Sequence, residues 1–138
     1  MRFVDTNVLL YAVSSAPKES GKARIARQIL DAEDLAVSVQ VLQEFYVQAT
    51  RPAKPGRLTP KQAGALVEAF LRFHIQDLTV SLMIAAQVAS ERFRISYWDA
   101  AIVEAARSLG CETLLSEDLG HGQNYAGVRV TNPFRSGA

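Results

Sequence analysis

Four acidic residues stand at points of the chain that an α/β fold would bring together, and they are Asp5, Glu44, Asp99 and Asp118. Asp5 ends the first apolar run, and Asp118 follows a second apolar run near the other end of the chain. Glu44 and Asp99 interrupt apolar helical stretches. Because ligands of open α/β sheets bind outside the carboxyl ends of the strands, we expect these four side chains to form one anionic pocket.

A pocket of four carboxylates requires a positive charge at its centre. Like charges in one site disfavour ionisation and raise each other's pKa, so the cluster is stable near neutral pH only with a cation bound. Ligands that are all oxygen atoms favour a hard cation such as Mg²⁺ or Mn²⁺. The chemistry that follows most directly is metal-assisted phosphoryl transfer or phosphodiester hydrolysis.

The two acids that end strands also have structural interpretations. Asp5 is suited to capping the short helix predicted after it, and Asp118 is suited to a turn. The adjacent Glu117 leaves open which of these two neighbouring acids points inward. Thr6 and Asn7 would add neutral oxygen atoms beside Asp5 and could position a water.

Glu44 would ordinarily be a solvent-facing helical residue. It shares a row with Gln40 and Gln48, which stand four residues before and after it, on a helix that is otherwise largely apolar. Residues four apart lie on one helical face. A polar row that borders a buried face is typical of the wall of a cleft.

Asp99 stands three residues after Ser96, which is the spacing of a capping box before an apolar helix. Tyr97 and Trp98 are large for exposed cap positions, so we expect this turn to pack inward. Asp99 could then cap the helix and bind a metal as well, since the helix dipole favours a carboxylate in the first turn.

The bulk properties indicate one globular domain. The chain has 138 residues, 49% of them hydrophobic and 21% charged, and a net charge of +1, so nucleic acid would have to bind at a local patch. Cys111 is the single cysteine, which excludes an internal disulfide and a cysteine-based zinc cluster. We expect a cytoplasmic protein, because no signal segment or membrane-spanning run is present.

Strands and helices alternate, which predicts an α/β fold with a mostly parallel sheet. The predicted strands are Arg2 to Asp5, Leu35 to Ser38, Ile75 to Leu78, Glu112 to Ser116 and an edge strand at Val128 to Thr131. The predicted helices are Asn7 to Val13, Ser20 to Asp31, Gln40 to Thr50, one from Thr59, Ser81 to Phe93, and one from Ser96 that ends before Gly110. A loose tail is predicted from about residue 132.

The helix that begins at Thr59 has the clearest start signal. Thr59 and Gln62 have the spacing of a capping box, and Pro60 suits the first helical position. Its predicted buried stripe consists of Ala63, Leu66, Val67, Phe70, Leu71 and His74.

Basic residues that could contact a phosphodiester backbone fall in two groups. Arg51, Lys54 and Arg57 lie in a segment without acids, and Lys22 belongs to a group nearer the N terminus. Solubility is the ordinary role of such residues. A polyanionic substrate would nevertheless need cations around an acidic metal site.

Four segments together resemble the PIN-domain nucleases, and more narrowly the VapC-like toxins of bacterial type II toxin–antitoxin pairs. They are Phe3-Val4-Asp5-Thr6-Asn7, Gln43-Glu44-Phe45, Tyr97-Trp98-Asp99-Ala100-Ala101-Ile102 and Leu115-Ser116-Glu117-Asp118-Leu119. The resemblance covers nearly the whole chain. It implies one PIN-like domain over residues 1–138, with three layers and a short parallel central sheet flanked by helices.

The resemblance also implies a function. It assigns the metal-binding quartet to Asp5, Glu44, Asp99 and Asp118, with supporting polar roles for Thr6 and Ser116. The implied activity is Mg²⁺- or Mn²⁺-dependent cleavage of single-stranded RNA. The implied partners are a small antitoxin protein and a second copy of the chain.

Two other interpretations stay open at this point. One is a phosphatase with Asp5 as its nucleophile, although such enzymes commonly have a second aspartate where this chain has Asn7. The other is an interaction module that has kept the fold without the activity. The presence of all four acids counts against that module.

Overall fold

A computed structural model describes residues 1–135 as a six-stranded sheet with six α-helices. The strands are β1 (Arg2–Val4), β2 (Leu35–Ser38), β3 (His74–Gln76), β4 (Thr113–Leu115), β5 (Asn124–Tyr125) and β6 (Val128–Thr131). The helices are α1 (Thr6–Ala12), α2 (Ser20–Leu30), α3 (Val39–Ala49), α4 (Pro60–Phe70), α5 (Val80–Phe93) and α6 (Tyr97–Ser108). The predicted α/β class is confirmed.

The strand order is β3-β2-β1-β4-β6-β5. All neighbouring strands are parallel except β5 and β6, which are antiparallel. The chain moves outward from β1 through β2 to β3 and then crosses back to place β4 on the other side of β1. Because parallel crossovers are right-handed, the connections on the two sides of β1 cover opposite faces of the sheet, which gives the three layers.

Helix contacts agree with this arrangement. α1 packs against α2 and α3, and α3 packs against α4, whereas α5 packs against α6. All four residues of β2 are buried, as expected for a parallel strand covered on both faces. The largest fully buried side chains include Phe3 of β1, Phe45 of α3 and Leu114 of β4, so the core lies between the central strands and the helices.

The prediction that β6 is an edge strand is wrong. β5 pairs with β6 and occupies the edge, and the two strands are joined by Ala126 and Gly127, which both have positive φ, 51° and 103°. Two successive residues with positive φ form the tight hairpin turn that suits the twist of the strands. The Ala-Gly pair is a weak sequence signal for such a turn.

The predicted stripe of α4 is only partly correct. The capping box of Thr59 and Gln62 is present, and Ala63 and Phe70 are buried. Leu71, which is 53% exposed, and His74, also exposed, are not buried because the helix ends at Phe70. The helical period does not continue into the turn and into β3.

A short 3₁₀ turn at Pro17–Glu19 runs directly into α2, and Ser20 is the first residue of that helix. Among residues 1–135, no helix is long and apolar enough to cross a membrane. The loose tail predicted from about residue 132 lies partly outside the described residues, and Phe134 within them packs its ring against Tyr11.

Candidate active site

The site is built where the direction of strand order reverses, between β1 and β4. Val4 is paired with Leu115, and the backbone N–H of Asp5 donates to the Leu115 carbonyl at 3.0 Å. This register places Asp5 and Ser116 side by side at the carboxyl ends of the two strands. Crevices of this kind are where open α/β sheets bind their ligands.

Asp5 caps α1 and faces the crevice at the same time. It is only 7% exposed, and its Oδ1 accepts a hydrogen bond from the Thr6 N–H at 2.7 Å. The Ser116 hydroxyl donates to Oδ2, also at 2.7 Å. Burial, opposed by the two hydrogen bonds and helped by the charges of Asp118 and Glu44, raises the pKa of Asp5 to about 6.

Glu44 reaches the same crevice from α3. Its Oε1 accepts a 3.4 Å hydrogen bond from the Thr6 hydroxyl and a 3.3 Å bond from Gln40 Nε2. Burial raises the pKa of Glu44, the two hydrogen bonds oppose this, and the charges of Asp99 and Asp118 add to it. The polar row on α3 therefore faces the crevice.

A cavity of about 90 Å³ joins all four predicted acids. Its lining residues are Asp5, Thr6, Asn7, Leu10, Glu44, Gln48, Trp98, Asp99, Ile102 and Asp118. This volume holds several water molecules or a hydrated ion. Within residues 1–135, no lysine, arginine or histidine lines the cavity.

Asp99 enters the cavity from the first turn of α6. Its backbone N–H donates to the Ser96 hydroxyl at 3.1 Å, which is half of the predicted capping box. The reciprocal bond, from the Ser96 N–H to the Asp99 carboxylate, is not found among the described residues. The Asp99 carboxylate is therefore not committed to the cap.

A polar network fixes the turn after β4. Asn7 Nδ2 donates to Asp118 Oδ2 at 3.2 Å, and Asn7 Oδ1 accepts from the Glu117 N–H at 3.2 Å. The Ser116 hydroxyl oxygen accepts from the N–H groups of Asp118 and Leu119 at 3.1 and 3.3 Å. Asn7 and Ser116 thus hold the neighbouring acids in position. Asn7 also lines the cavity, whereas Ser116 does not.

Glu117 faces away from the cavity, although its neighbour Asp118 lines it. Lys22 of α2 lies 2.5 Å from one Glu117 oxygen, and the Tyr11 hydroxyl donates to the other at 2.6 Å. The Lys22 ammonium also sits over the Tyr11 ring, 4.9 Å from its centroid. Of the two adjacent acids, Asp118 is the one at the cavity.

The donor set suits a hydrated hard cation better than a tightly enclosed one. No group of three acidic, histidine or cysteine side chains in residues 1–135 converges closely enough to enclose a metal. Mg²⁺ keeps several waters and is usually bound through only one or two carboxylates. Four acids around a cavity of this size, with the pKa of Asp5 raised to about 6, fit that kind of ion.

The predicted basic contacts lie in different surroundings. Arg51 and Lys54 line a shallow depression that shares Gln48 with the acidic cavity. Arg57 is exposed and lines neither. Lys22 is engaged by Glu117.

Part of the wall of the acidic cavity was not predicted from the sequence. Leu10 and Ile102 line the cavity and stand three residues after Asn7 and Asp99, so helical periodicity from these residues could have identified them. The expectation that Trp98 packs inward is wrong, since its side chain is 66% exposed at the rim. Tyr97 is half-buried, as expected.

Comparison with known proteins agrees with this fold. The family model of the PIN domain matches residues 2–125. No curated protein matches the chain in sequence.

Several solved structures share the fold. One is a toxin–antitoxin complex from Klebsiella pneumoniae, 20% identical over 96% of this chain and 98% of that chain, with a TM-score of 0.69. A DNA-bound VapBC from Salmonella typhimurium is 20% identical over 96% and 98%, with a TM-score of 0.67. The sarcin–ricin-loop-cleaving toxin VapC20 of Mycobacterium tuberculosis is 17% identical over 86% of this chain and 92% of that chain, with a TM-score of 0.64. With the family model covering most of its length, the chain belongs to the PIN-domain family.

Proposed function

We propose that this protein is an Mg²⁺- or Mn²⁺-dependent endoribonuclease that cleaves single-stranded RNA and acts as the toxin of a toxin–antitoxin pair. The observation that carries the proposal is the cavity at the strand switch point, which is lined by four carboxylates and by no basic side chain among the described residues. Membership of the PIN-domain family, a family of nucleases, supports it.

Asp5, Glu44 and Asp99 are proposed to hold a hydrated cation, in part through its bound waters, with Asp118 completing the site or a second one. When bound there, the cation would lower the pKa of a water and neutralise charge on the attacked phosphate. Thr6 donates to Glu44 and Asp5, which keeps both carboxylates oriented toward the cavity. Attack of water on phosphorus would break the bond to the 3′ oxygen and leave a 3′-hydroxyl and a 5′-phosphate.

Arg51, Lys54 and Arg57 are proposed to contact the RNA backbone. The depression lined by Arg51 and Lys54 meets the acidic cavity at Gln48, so a strand whose phosphate lies at the acids could pass these cations. Phosphate contacts of this kind position a nucleic acid without reading its sequence. Lys22 stays a predicted contact, but it would have to leave Glu117 to make one.

The proposed partners are a small antitoxin protein and a second copy of the chain. Related folds occur in a toxin–antitoxin complex and in DNA-bound VapBC. An arginine of the antitoxin, paired with the cavity carboxylates, would supply the charge that the cavity lacks. A proposed RNA substrate is in keeping with the cytoplasmic location expected from the sequence.

The phosphatase alternative is weaker. Phosphatases of that kind commonly have a second aspartate two residues after the nucleophile, whereas this chain has Asn7, an amide that donates to Asp118. An inert PIN-fold module stays as the second candidate, and metal-dependent activity separates it from a nuclease.

The test is cleavage of a labelled single-stranded RNA by purified protein with Mg²⁺, with Mn²⁺ and with EDTA. Asp5→Asn removes a cavity charge. Asp77→Asn is the matched control, because it makes the same chemical change at an exposed residue outside the cavity. We expect metal-dependent cleavage by the wild type and by Asp77→Asn, and none by Asp5→Asn.

Cleavage that persists in EDTA, or in Asp5→Asn, would contradict the proposed role of the cavity. No cleavage of any RNA by well-folded wild type would favour the inert module. Release of phosphate from small phosphomonoesters, without RNA cleavage, would favour the phosphatase.

A further inference from the structure

The exposed indole of Trp98 stands beside the acidic cavity. Trp98 is the single tryptophan of the chain, is 66% exposed and lines the cavity together with Asp99. Isolated exposed apolar residues are common on protein surfaces and need no explanation by themselves. Trp98 differs from such residues because it stands beside the acids and packs against the Tyr97 ring.

Trp98 is supported from two sides. The Tyr97 ring meets its indole edge-to-face, with centroids 5.0 Å apart and planes at 85°. The Trp98 carbonyl accepts a 3.3 Å hydrogen bond from Gln40 Nε2, and the same Gln40 group bonds to Glu44. The backbone of Trp98 is therefore tied to α3, and its indole is held by the neighbouring Tyr97 ring of α6.

An aromatic ring at this place suits a nucleobase. Tryptophan stacks on unpaired bases of any sequence because every base has a π-face. Asp99 directly follows Trp98, so a phosphate held at the acids would have its own or a neighbouring base within reach of the indole. Bases in a duplex are already stacked and paired, and they could not use the ring without being extruded.

We propose that Trp98 is a stacking platform for an unpaired nucleobase next to the scissile phosphate, and that it contributes to selectivity for single strands. This inference rests on the proposed nuclease function and adds a substrate-binding role for a residue outside the acidic quartet. A covering protein is the other occupant that an exposed indole could have. The adjoining catalytic acids favour the base.

Two substitutions test the platform by kinetics. Trp98→Leu removes the aromatic face, and Trp98→Phe keeps one. For a hexa-adenylate substrate, we expect Trp98→Leu to raise KM about 5- to 150-fold, the range found for loss of one base stack, with little change in kcat. Trp98→Phe should recover most of the loss. Since the side chain is largely exposed, both variants should melt close to the wild-type temperature.

Fluorescence gives a readout that does not depend on turnover. Trp98 is the sole indole of the protein, so quenching of its emission reports stacking directly. In the Asp5→Asn background, where cleavage is not expected, hexa-adenylate should quench the emission and an abasic hexamer of the same backbone should not.

The outcomes separate the platform from the nuclease. Unchanged KM in Trp98→Leu while the wild type cleaves RNA, or equal quenching by the abasic hexamer, would overturn the platform and leave the nuclease intact. Failure of the wild type to cleave would overturn the proposed function, and base-dependent quenching would still support stacking. Unchanged KM together with loss of inhibition by an antitoxin would assign Trp98 to the protein contact instead.

Discussion

Glu117 and Asp118 are neighbours in the sequence, yet their carboxylates lie in opposite electrostatic surroundings. Glu117 has a cation of its own, since Lys22 and the Tyr11 hydroxyl bind its two oxygens. Burial alone would raise the pKa of Glu117, but the hydrogen bonds from Lys22 and Tyr11 outweigh it, and the pKa is lowered.

Asp118 turns the other way, into a cavity that holds three more acids and no basic side chain among the described residues. There burial, with help from the charges of Asp118 and Glu44, raises the pKa of Asp5 to about 6. Among the described residues, Lys22 neutralises Glu117, and no basic side chain lines the cavity of the four acids. This difference supports the proposal that the cavity binds a cation from outside the chain.

The largest expected effect concerns cleavage. Asp99→Asn removes a cavity carboxylate, and we expect the rate of RNA cleavage to fall on the order of 10³-fold, because a catalytic metal contributes several kcal/mol and each 1.36 kcal/mol is tenfold in rate. Glu117 faces away from the cavity, so Glu117→Gln should lower the rate of RNA cleavage by less than about tenfold. Initial rates with Mg²⁺ measure both variants.

Equal losses of cleavage rate in Asp99→Asn and Glu117→Gln would contradict the distinct roles of the cavity acids and Glu117, because both acids would then serve the reaction alike. Circular dichroism and thermal melting of each variant show whether a loss comes from misfolding.

The second effect concerns the stability of metal-free protein. The folded pKa of Asp5, about 6, lies above its usual value of 3.8. Between these two pH values, the folded state binds a proton that the unfolded state has released. Ionised Asp5 then destabilises the fold at pH 7.5, and stability returns as the pH falls from above 6 toward 4. The shift corresponds to about 3 kcal/mol.

Asp5→Asn should therefore unfold at a higher urea concentration than the wild type at pH 7.5 in EDTA, and the gap should narrow as the pH falls to 5. Glu117 behaves in the opposite sense. Its folded pKa is lowered, so its contribution is constant above pH 5 and is lost only at lower pH. A wild-type stability that falls steadily between pH 7.5 and 5 would contradict the assignment for Asp5.

The smallest effect concerns the lysine on the Glu117 side. Lys22 and Glu117 are partly exposed, at 42% and 25% of their side chains, so Lys22→Met should lower the free energy of unfolding by about 1 kcal/mol or less. Lys22→Arg should retain most of the stability. Urea denaturation at pH 7.5 measures this free energy. A loss as large as about 3 kcal/mol would show that Lys22 makes stabilising contacts beyond this one surface ion pair.

Much of this arrangement could be predicted from local patterns. The end of the first apolar run marks Asp5 as a strand-end acid, and the spacing of Gln40, Glu44 and Gln48 marks one wall of the cavity. Such signals are local because one strand end or one helical face carries them.

Other features depend on residues far apart in the chain. Which acid of the Glu117 and Asp118 pair points inward is decided in part by Lys22, 95 residues before Glu117, and no local pattern encodes that pairing. The contact between α3 and α6 beside Trp98, where Gln40 donates to the Trp98 carbonyl, joins residues 58 positions apart. The hairpin at Ala126 and Gly127 follows from two positive φ angles that its sequence only weakly indicates.

The most direct test of the proposed cation site in the acidic cavity is Mn²⁺ binding, measured by calorimetry without RNA. We predict saturable binding by the wild type and by Asp77→Asn, retained in Lys22→Met and weakened at least about tenfold in Asp5→Asn. Bound metal should also raise the melting temperature, because a ligand that binds only the folded state stabilises it. Equal affinities in the wild type and Asp5→Asn, or no binding at millimolar Mn²⁺, would contradict a cavity built for an external cation.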